Sequence, residues 1–354
     1  MRNGFLIGAG ASYELGMPLV DELTTVFKSS LLRVFDLPKY DCPKQIKEIA
    51  YRLLNDDDLN YEEIIGRLEI EIQRNRNNNL HQEWYWILTR YNEAIFFLLY
   101  ETHKKNLDYI KDRLDFFEPL KKFCQNEPLW IFSLNHDLLF EMICAYLNLP
   151  IKSGFYDTIN VNKMTFDRLT RENMASNKFS FHNSANTVNL VKLHGALDLF
   201  IQGDSKNYLK LINNKSWDAV IKDLDNLIEN DAALKDYGGR ITHEITYNDL
   251  NGVLQFLRMT ILSGKHKFTK RIQHNLDDWF YKIYQGHINY VDTLYAIGYS
   301  FGDDHINEVV YQWLSFSEKR NLVIVDPGIK AIPQICRHIT EQISLENFGF
   351  LEFL

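Results

Sequence analysis

The stretch Phe5-Leu6-Ile7-Gly8-Ala9-Gly10-Ala11-Ser12 decides how this 354-residue chain folds. Three apolar residues between Gly4 and Gly8 read as a short buried strand, and Leu19 to Phe35 then carries apolar residues at helical spacing. Strand, glycine-rich turn and helix form the opening of a nucleotide-binding α/β unit. Working outward, Leu129 to Ser133, Val188 to Leu193 and Thr293 to Ile297 read as further strands, each running into a loop of Gly, Ser, Asn, Asp or His; Leu322 to Val325 ends on Asp326-Pro327-Gly328. The expected architecture is α/β, a Rossmann-like parallel sheet with helices on both faces. Ligands of such open sheets bind beyond the carboxyl ends of the strands, so these five loops, far apart in sequence, are expected to meet in one crevice.

Between the strands, residues 40–123 read as helices broken at Asp56-Asp57-Asp58 and Asn77-Asn78-Asn79, with Trp84 to Tyr100 a strongly apolar helix, either core or a contact face. Residues 203–288 read as largely helical and charged, with a break at Gly238-Gly239, and 151–187 as polar and irregular. Both long segments are expected to be helical insertions in a single domain spanning 1–354. A hydrophobic share of 45% with 24% charged residues excludes a disordered chain. A formal charge of -8 argues against gripping nucleic acid by bulk charge. No run approaches the roughly 18 apolar residues of a membrane helix, and the N-terminal apolar run is too short for a signal peptide. A cytoplasmic protein without membrane contact is the expectation. Cys42, Cys124, Cys144 and Cys336 form no C-x-x-C pair, so neither a zinc ribbon nor a disulfide framework is expected.

Gly8, Ala9, Gly10, Ala11 and Ser12 would let backbone N–H groups approach a phosphate. Tyr13 occupies the third glycine position of G-x-G-x-x-G and no Gly-Lys-Ser/Thr follows, so a tight turn that binds nothing is the competing reading. Asn135 and Asp137 lie just past a buried strand. Asp137 suits an N-cap, a task that leaves Asn135 unexplained. His194 stands at the end of another strand beside Gly195, whereas His136 reads as structural. In Gly298-Tyr299-Ser300-Phe301-Gly302-Asp303-Asp304, Ser300 and backbone amides suit a phosphate or ribose, or the segment is a turn with Asp303 or Asp304 as N-cap. Asp326 suits a ribose hydroxyl or an ordinary Asp-Pro-Gly turn. Ser263-Gly264-Lys265-His266-Lys267 is a small cationic loop.

In their order along the chain, Gly8-Ala9-Gly10-Ala11-Ser12 with Gly16-Met17-Pro18, Asn135-x-Asp137, Leu193-His194-Gly195, Gly298-Tyr299-Ser300 and Val323 to Asp326 resemble the sirtuin-like family of NAD-consuming proteins. The resemblance implies that Gly8, Gly10, Ala11 and Ser12 bind the NAD+ diphosphate. It implies a catalytic corner of Asn135, Asp137 and His194, with Gly298, Ser300 and Asp326 holding the adenosine side. Two departures point away from protein deacylation: no cysteine follows His194 until Cys336, where the deacylases carry a four-cysteine zinc module, and Leu19-Val20-Asp21 replaces a Phe-Arg pair. The set is more similar to the zinc-free bacterial anti-phage effectors, implying NAD+ as substrate, cleavage at the nicotinamide–ribose bond and no zinc. It also implies control by homo-oligomerisation or a separate protein, such as a HerA-type hexameric ATPase or, less favoured, a short Argonaute. The competing functions are an NAD-dependent deacylase and a module that binds NAD or ADP-ribose without turnover. A hydride-transfer enzyme fits less well, because its fingerprint is incomplete.

Overall fold

A computed structural model of the chain describes residues 2–35, 43–203, 205–265, 267, 276 and 278–354. Cys42 and His266 lie outside the described residues. Thirteen described strands form two sheets. The first contains β1 (Asn3–Ile7), β2 (Leu129–Ser133), β3 (Ile151–Lys152), β6 (Val188–Lys192), β11 (Thr293–Ile297), β12 (Asn321–Val325) and β13 (Ile343–Glu346). Their order is β13-β12-β11-β1-β2-β6-β3, and every pairing is parallel. The second contains β4 (Asp157–Val161), β5 (Met164–Leu169), β7 (Leu199–Gln202), β8 (Asn207–Leu211), β9 (Glu244–Asn248) and β10 (Leu254–Met259), antiparallel throughout in the order β4-β5-β8-β7-β10-β9.

Alternation along the parallel strands builds two cores. Phe5, Ile7, Ile131, Leu190, Ile297 and Val325 face one, with the helices Val20–Phe35, His81–Lys105 and Leu139–Leu147. Leu6, Trp130, Phe132, Val191, Leu294 and Ile324 face the other, with the helices Trp279–His287 and Asp304–Ser315. Both faces of the sheet are covered, which is why its strands read as near-continuous apolar runs. Trp84, Tyr91, Ile95 and Phe96 of the 25-residue helix His81–Lys105 are buried, so its apolar stripe is core.

Residues 44–124 are helical, as the sequence predicts. Residues 151–187 are not irregular, and 203–288 is not a purely helical insertion. The first holds β3, β4 and β5; the second holds β8, β9 and β10 beside the helices Ala219–Glu229, Ala232–Tyr237 and Trp279–His287. The antiparallel strands among these mix polar and apolar residues, as in Asn207-Tyr208-Leu209-Lys210-Leu211 and Leu254-Gln255-Phe256-Leu257-Arg258-Met259, so their composition resembles that of a charged helix. The β4–β5 hairpin turns through Asn162 and Lys163, both at positive φ (50° and 64°). That is the backbone of a type I′ turn without its usual Asn-Gly signature.

Three fully buried histidines give the fold a pH dependence. Burial is the first cause that lowers His103 and His243 to about 4 and His136 to about 3 from an ordinary 6.5. His103 accepts the Leu138 N–H on Nε2 at 2.9 Å, which requires the neutral ring. Each group takes up a proton more readily unfolded than folded. Its stabilising contribution is therefore complete above the ordinary value and is lost as pH falls toward the folded one. Urea denaturation is expected to give a constant unfolding free energy above about pH 7 that declines steadily below about pH 6.5. A constant value down to about pH 5 would contradict the burial of neutral histidines.

Candidate active site

The glycine loop lies directly against the loop that follows β11. Gly8 donates its N–H to Ile297 O at 3.0 Å, Gly10 to Gly298 O at 2.9 Å, and Ala11 to Gly8 O at 3.1 Å. A Cβ on Gly8 would lie 2.4 Å from Gly298 O, and one on Gly10 2.8 Å from Gly298 Cα. Gly298 itself has φ +59, and a Cβ there would meet Ala11 N at 2.1 Å. The sequence pattern suggests that these glycines open the backbone to a phosphate. The structure gives them an earlier task, which is to let two loops touch backbone to backbone, with three N–H groups committed to protein carbonyls. Ala9 to Tyr13 follows as a single short helix in which Ser12 is buried.

Ser12 then joins the glycine loop to the loop that follows β2. Asn135 gives both Nδ2 hydrogens to the protein, to Gly8 O at 2.8 Å and Ser12 Oγ at 2.7 Å, and Ser12 Oγ donates to Asp137 Oδ2 at 2.6 Å. Asp137 Oδ1 accepts the Leu139 N–H at 3.1 Å; the N-cap of the helix Leu139–Leu147 is Leu138, so Asp137 stands one residue before the expected cap, and it anchors Asn135 through Ser12. The polarity of this chain fixes the amide: Gly8 O accepts only, which turns Asn135 Nδ2 toward it and leaves Oδ1 as the atom able to accept from a ligand hydroxyl.

Asn135 and His194 project from adjacent strands. Each lies two residues beyond the last paired residues of β2 and β6, Ser133 and Lys192. His194 is buried, and its Nε2 lies 3.3 Å from Asp303 Oδ2. Gly195 turns the chain there at φ +80, where a Cβ would meet Thr260 O at 2.3 Å. Burial lowers the His194 pKa, the nearby Lys267 lowers it further, and Asp303 partly opposes both. The imidazole is neutral at neutral pH. Asp303 is held well below the usual carboxylate range: burial raises it, and His194 and Lys267 outweigh that. Lys267 is itself buried, 2.7 Å from Glu62 Oε1 and 3.9 Å from Asp303 Oδ2. The helix Tyr61–Arg74 thus reaches the corner through Glu62. His136 sits behind, its Nδ1 3.3 Å from Gly195 O, in the structural place the sequence assigns to it.

The remaining positions are held by local bonds. The loop after β11 is braced by Tyr299, whose hydroxyl donates to Asn307 Oδ1 at 2.9 Å, and by Asn307 Nδ2, which donates to Phe301 O at 2.8 Å. Ser300 is exposed at its tip. Asp326 accepts the Gly328 N–H on Oδ1 at 2.7 Å, the ordinary-turn reading, and its strand β12 neighbours β11. Asp303, Lys267 and Glu62 were not legible as site residues. Asp303 reads only as an N-cap, the place it takes before the helix Asp304–Ser315. Among the described residues no group of three His, Cys, Asp or Glu is placed to hold a metal ion, and no helix is long and apolar enough to cross a membrane.

No family model matches the chain, and no curated protein matches it. A solved structure described as "The Structural basis of Sirtuin Substrate Affinity" shares 12% sequence identity at a TM-score of 0.40, over 99% of this chain and 91% of that one. At that level of likeness the chemistry of the site rests on its own residues.

Gly298→Ala is expected to lower the unfolding free energy by on the order of 3 kcal/mol or more, because it combines a left-handed φ with a clash against backbone. Gly238→Ala is the control. Its φ is +69 but nothing lies within 4 Å of the added carbon, so only the conformational cost of about 1 kcal/mol is expected. Equal losses in denaturant titrations of the two variants would show that the loop contact contributes nothing.

Proposed function

We propose that this protein cleaves NAD+ at the nicotinamide–ribose bond, giving nicotinamide and ADP-ribose. The observation that carries the reading is the pairing, at the carboxyl ends of adjacent parallel strands, of an Asn135 carbonyl oriented through Ser12 and Asp137 with a buried neutral His194 facing Asp303. The order of motifs along the chain, which resembles the sirtuin-like set, supplies the substrate.

Cleavage breaks the bond between C1′ and the pyridinium nitrogen. The electron pair moves to nitrogen, so nicotinamide departs neutral and needs no acid. Positive charge develops on the ribose, and water adds to C1′ while losing one proton. The site must hold the sugar, orient the water and accept that proton. In this reading Asn135 Oδ1 accepts from a ribose hydroxyl or the water, supported by the commitment of its Nδ2 to Gly8 O and Ser12 Oγ. His194 is the proton acceptor, since a carboxylate opposite Nε2 fixes the ring and stabilises the imidazolium that forms. The fixed dipoles and the Asp303 charge act without reorganisation inside a largely buried corner. Unrestrained cleavage would exhaust a cell's NAD+, so the reading includes a gated effector, of the kind used in anti-phage defence, held in check by self-assembly or a separate protein.

Purified protein incubated with NAD+, without acylated peptide, is expected to release nicotinamide and ADP-ribose. Asn135→Ala and His194→Ala are expected to reduce the rate by at least about 100-fold while remaining folded. Tight NAD+ binding without product, or undiminished turnover by both variants, would overturn the assignment.

The pH profile tests the base separately. The rate is expected to be flat above neutrality and to fall on the acid side as His194 protonates, with the limb below the ordinary value of 6.5. Lys267→Met removes a neighbour that depresses the imidazole, so its acid limb should move to higher pH. Asp303→Asn removes the group that raises it, so its limb should move lower, with kcat reduced by roughly 100-fold or more. Limbs that do not move in opposite directions would remove His194 as the base.

A further inference from the structure

Lys192 ends β6, two residues before His194, and is 3% exposed. Its ammonium donates to the backbone oxygen of Asp137 at 2.5 Å and lies 3.4 Å from that of Asn135. Its third neighbour is Glu141 Oε2 at 3.5 Å. Three acceptors thus surround a group with three hydrogens. We propose that Lys192 is a positioning residue for Asn135: from beneath, it clamps the carbonyls on both sides of His136 and so sets the direction in which Asn135 and Asp137 present their side chains to Ser12. The proposal rests on the NAD+-cleaving reading for its kinetic consequence, though the clamp itself does not.

The simpler account makes Lys192 a counter-ion for Glu141. Three features weigh against it. Glu141 already has Lys210 at 2.8 Å, and Lys210 is paired in turn with Asp198 at 2.5 Å. The closest contact of Lys192 is a backbone oxygen, not the carboxylate. A buried ion pair is also a poor source of stability, since desolvation removes several kcal/mol per ion and an apolar replacement is often neutral. Burial alone would push the Glu141 carboxyl up; Lys192 and Lys210 more than reverse that and hold it below the usual carboxylate range. Glu141 keeps Lys210 as a counter-ion at 2.8 Å whether or not Lys192 is present, and Lys192 is the cation that touches the loop.

The test compares wild type, Glu141→Gln, the double variant Lys192→Met with Glu141→Gln, and the double variant Lys192→Gln with Glu141→Gln. The first double removes the clamp without stranding a carboxylate; the second restores one donor at the same place. In NAD+ turnover, Glu141→Gln is expected to stay within about 3-fold of wild type. The methionine double should lose about 100-fold in kcat at an unchanged KM and unchanged melting temperature, and the glutamine double should recover part of that loss. Hydrogen exchange at residues 134–139, read in the same proteins with no substrate, should be roughly ten-fold faster in the methionine double than in Glu141→Gln. Wild-type turnover in a folded methionine double, or a loss in Glu141→Gln as large as in the double, would overturn the proposal. If the methionine double does not fold, the glutamine double decides: full loss of kcat with accelerated exchange refutes rescue by a donor. If wild type does not cleave NAD+, the functional reading fails by itself, and the exchange rates still decide the clamp, with equal rates rejecting it.

Discussion

Backbone touching backbone is the constraint on which the site depends. The loop after β1 and the loop after β11 meet through Gly8, Gly10 and Gly298 at distances that exclude any side-chain carbon. One side of the contact sets the short helix that carries Ser12 to Asn135 and Asp137. The other starts the segment that carries Asp303 to His194. A wider separation would not merely loosen the crevice. It would pull apart the two hydrogen-bonded assemblies whose juxtaposition gives the corner its chemistry.

Beneath that contact the polar groups are layered by charge. The upper layer, Asn135–Ser12–Asp137, is a directional chain ending on one carboxylate and a helix N–H. The lower layer is ionic: Lys192, Lys210 and Asp198, all buried, with the partly buried Glu141 between the two lysines. Burial pushes Asp198 up toward its neutral form, against the pull of Lys210. Ionised groups persist in such a place only when each has a partner, and here the partners come from β6, the helix Leu139–Leu147, β8 and the turn before β7. The second sheet is therefore not an appendage. Lys210, a residue of β8, stands within two ion pairs of the loop that bears Asn135.

The parallel sheet was legible because both its faces are covered. Strands such as Leu129-Trp130-Ile131-Phe132 announce themselves as apolar runs, and five of the seven could be placed by eye. β3 has two residues and β13 four, too few to carry a pattern. The antiparallel sheet stayed hidden for a different reason. In Asp157-Thr158-Ile159-Asn160-Val161 alternate side chains are exposed and only Val161 is buried, and the turn that would have marked the hairpin is Asn-Lys rather than Asn-Gly. In the site, Asn135 and His194 could be picked out by their position at strand ends. Asp303, Lys192 and Lys267 could not. Their roles come from contacts across the fold, and a local sequence shows Asp303 only as a helix cap and Lys192 as a charge out of place in a strand.

The glycine contact has a further consequence for the order in which the protein is made. A ribosome delivers the loop of Gly8 and Gly10 well before Gly298, with β2 to β10 made in between. Until then β1 lacks its neighbour β11, the glycines face nothing, and His194 lacks its carboxylate. The site cannot be complete before that loop exists, so a chain interrupted anywhere between the two carries the early motifs without the arrangement that joins them.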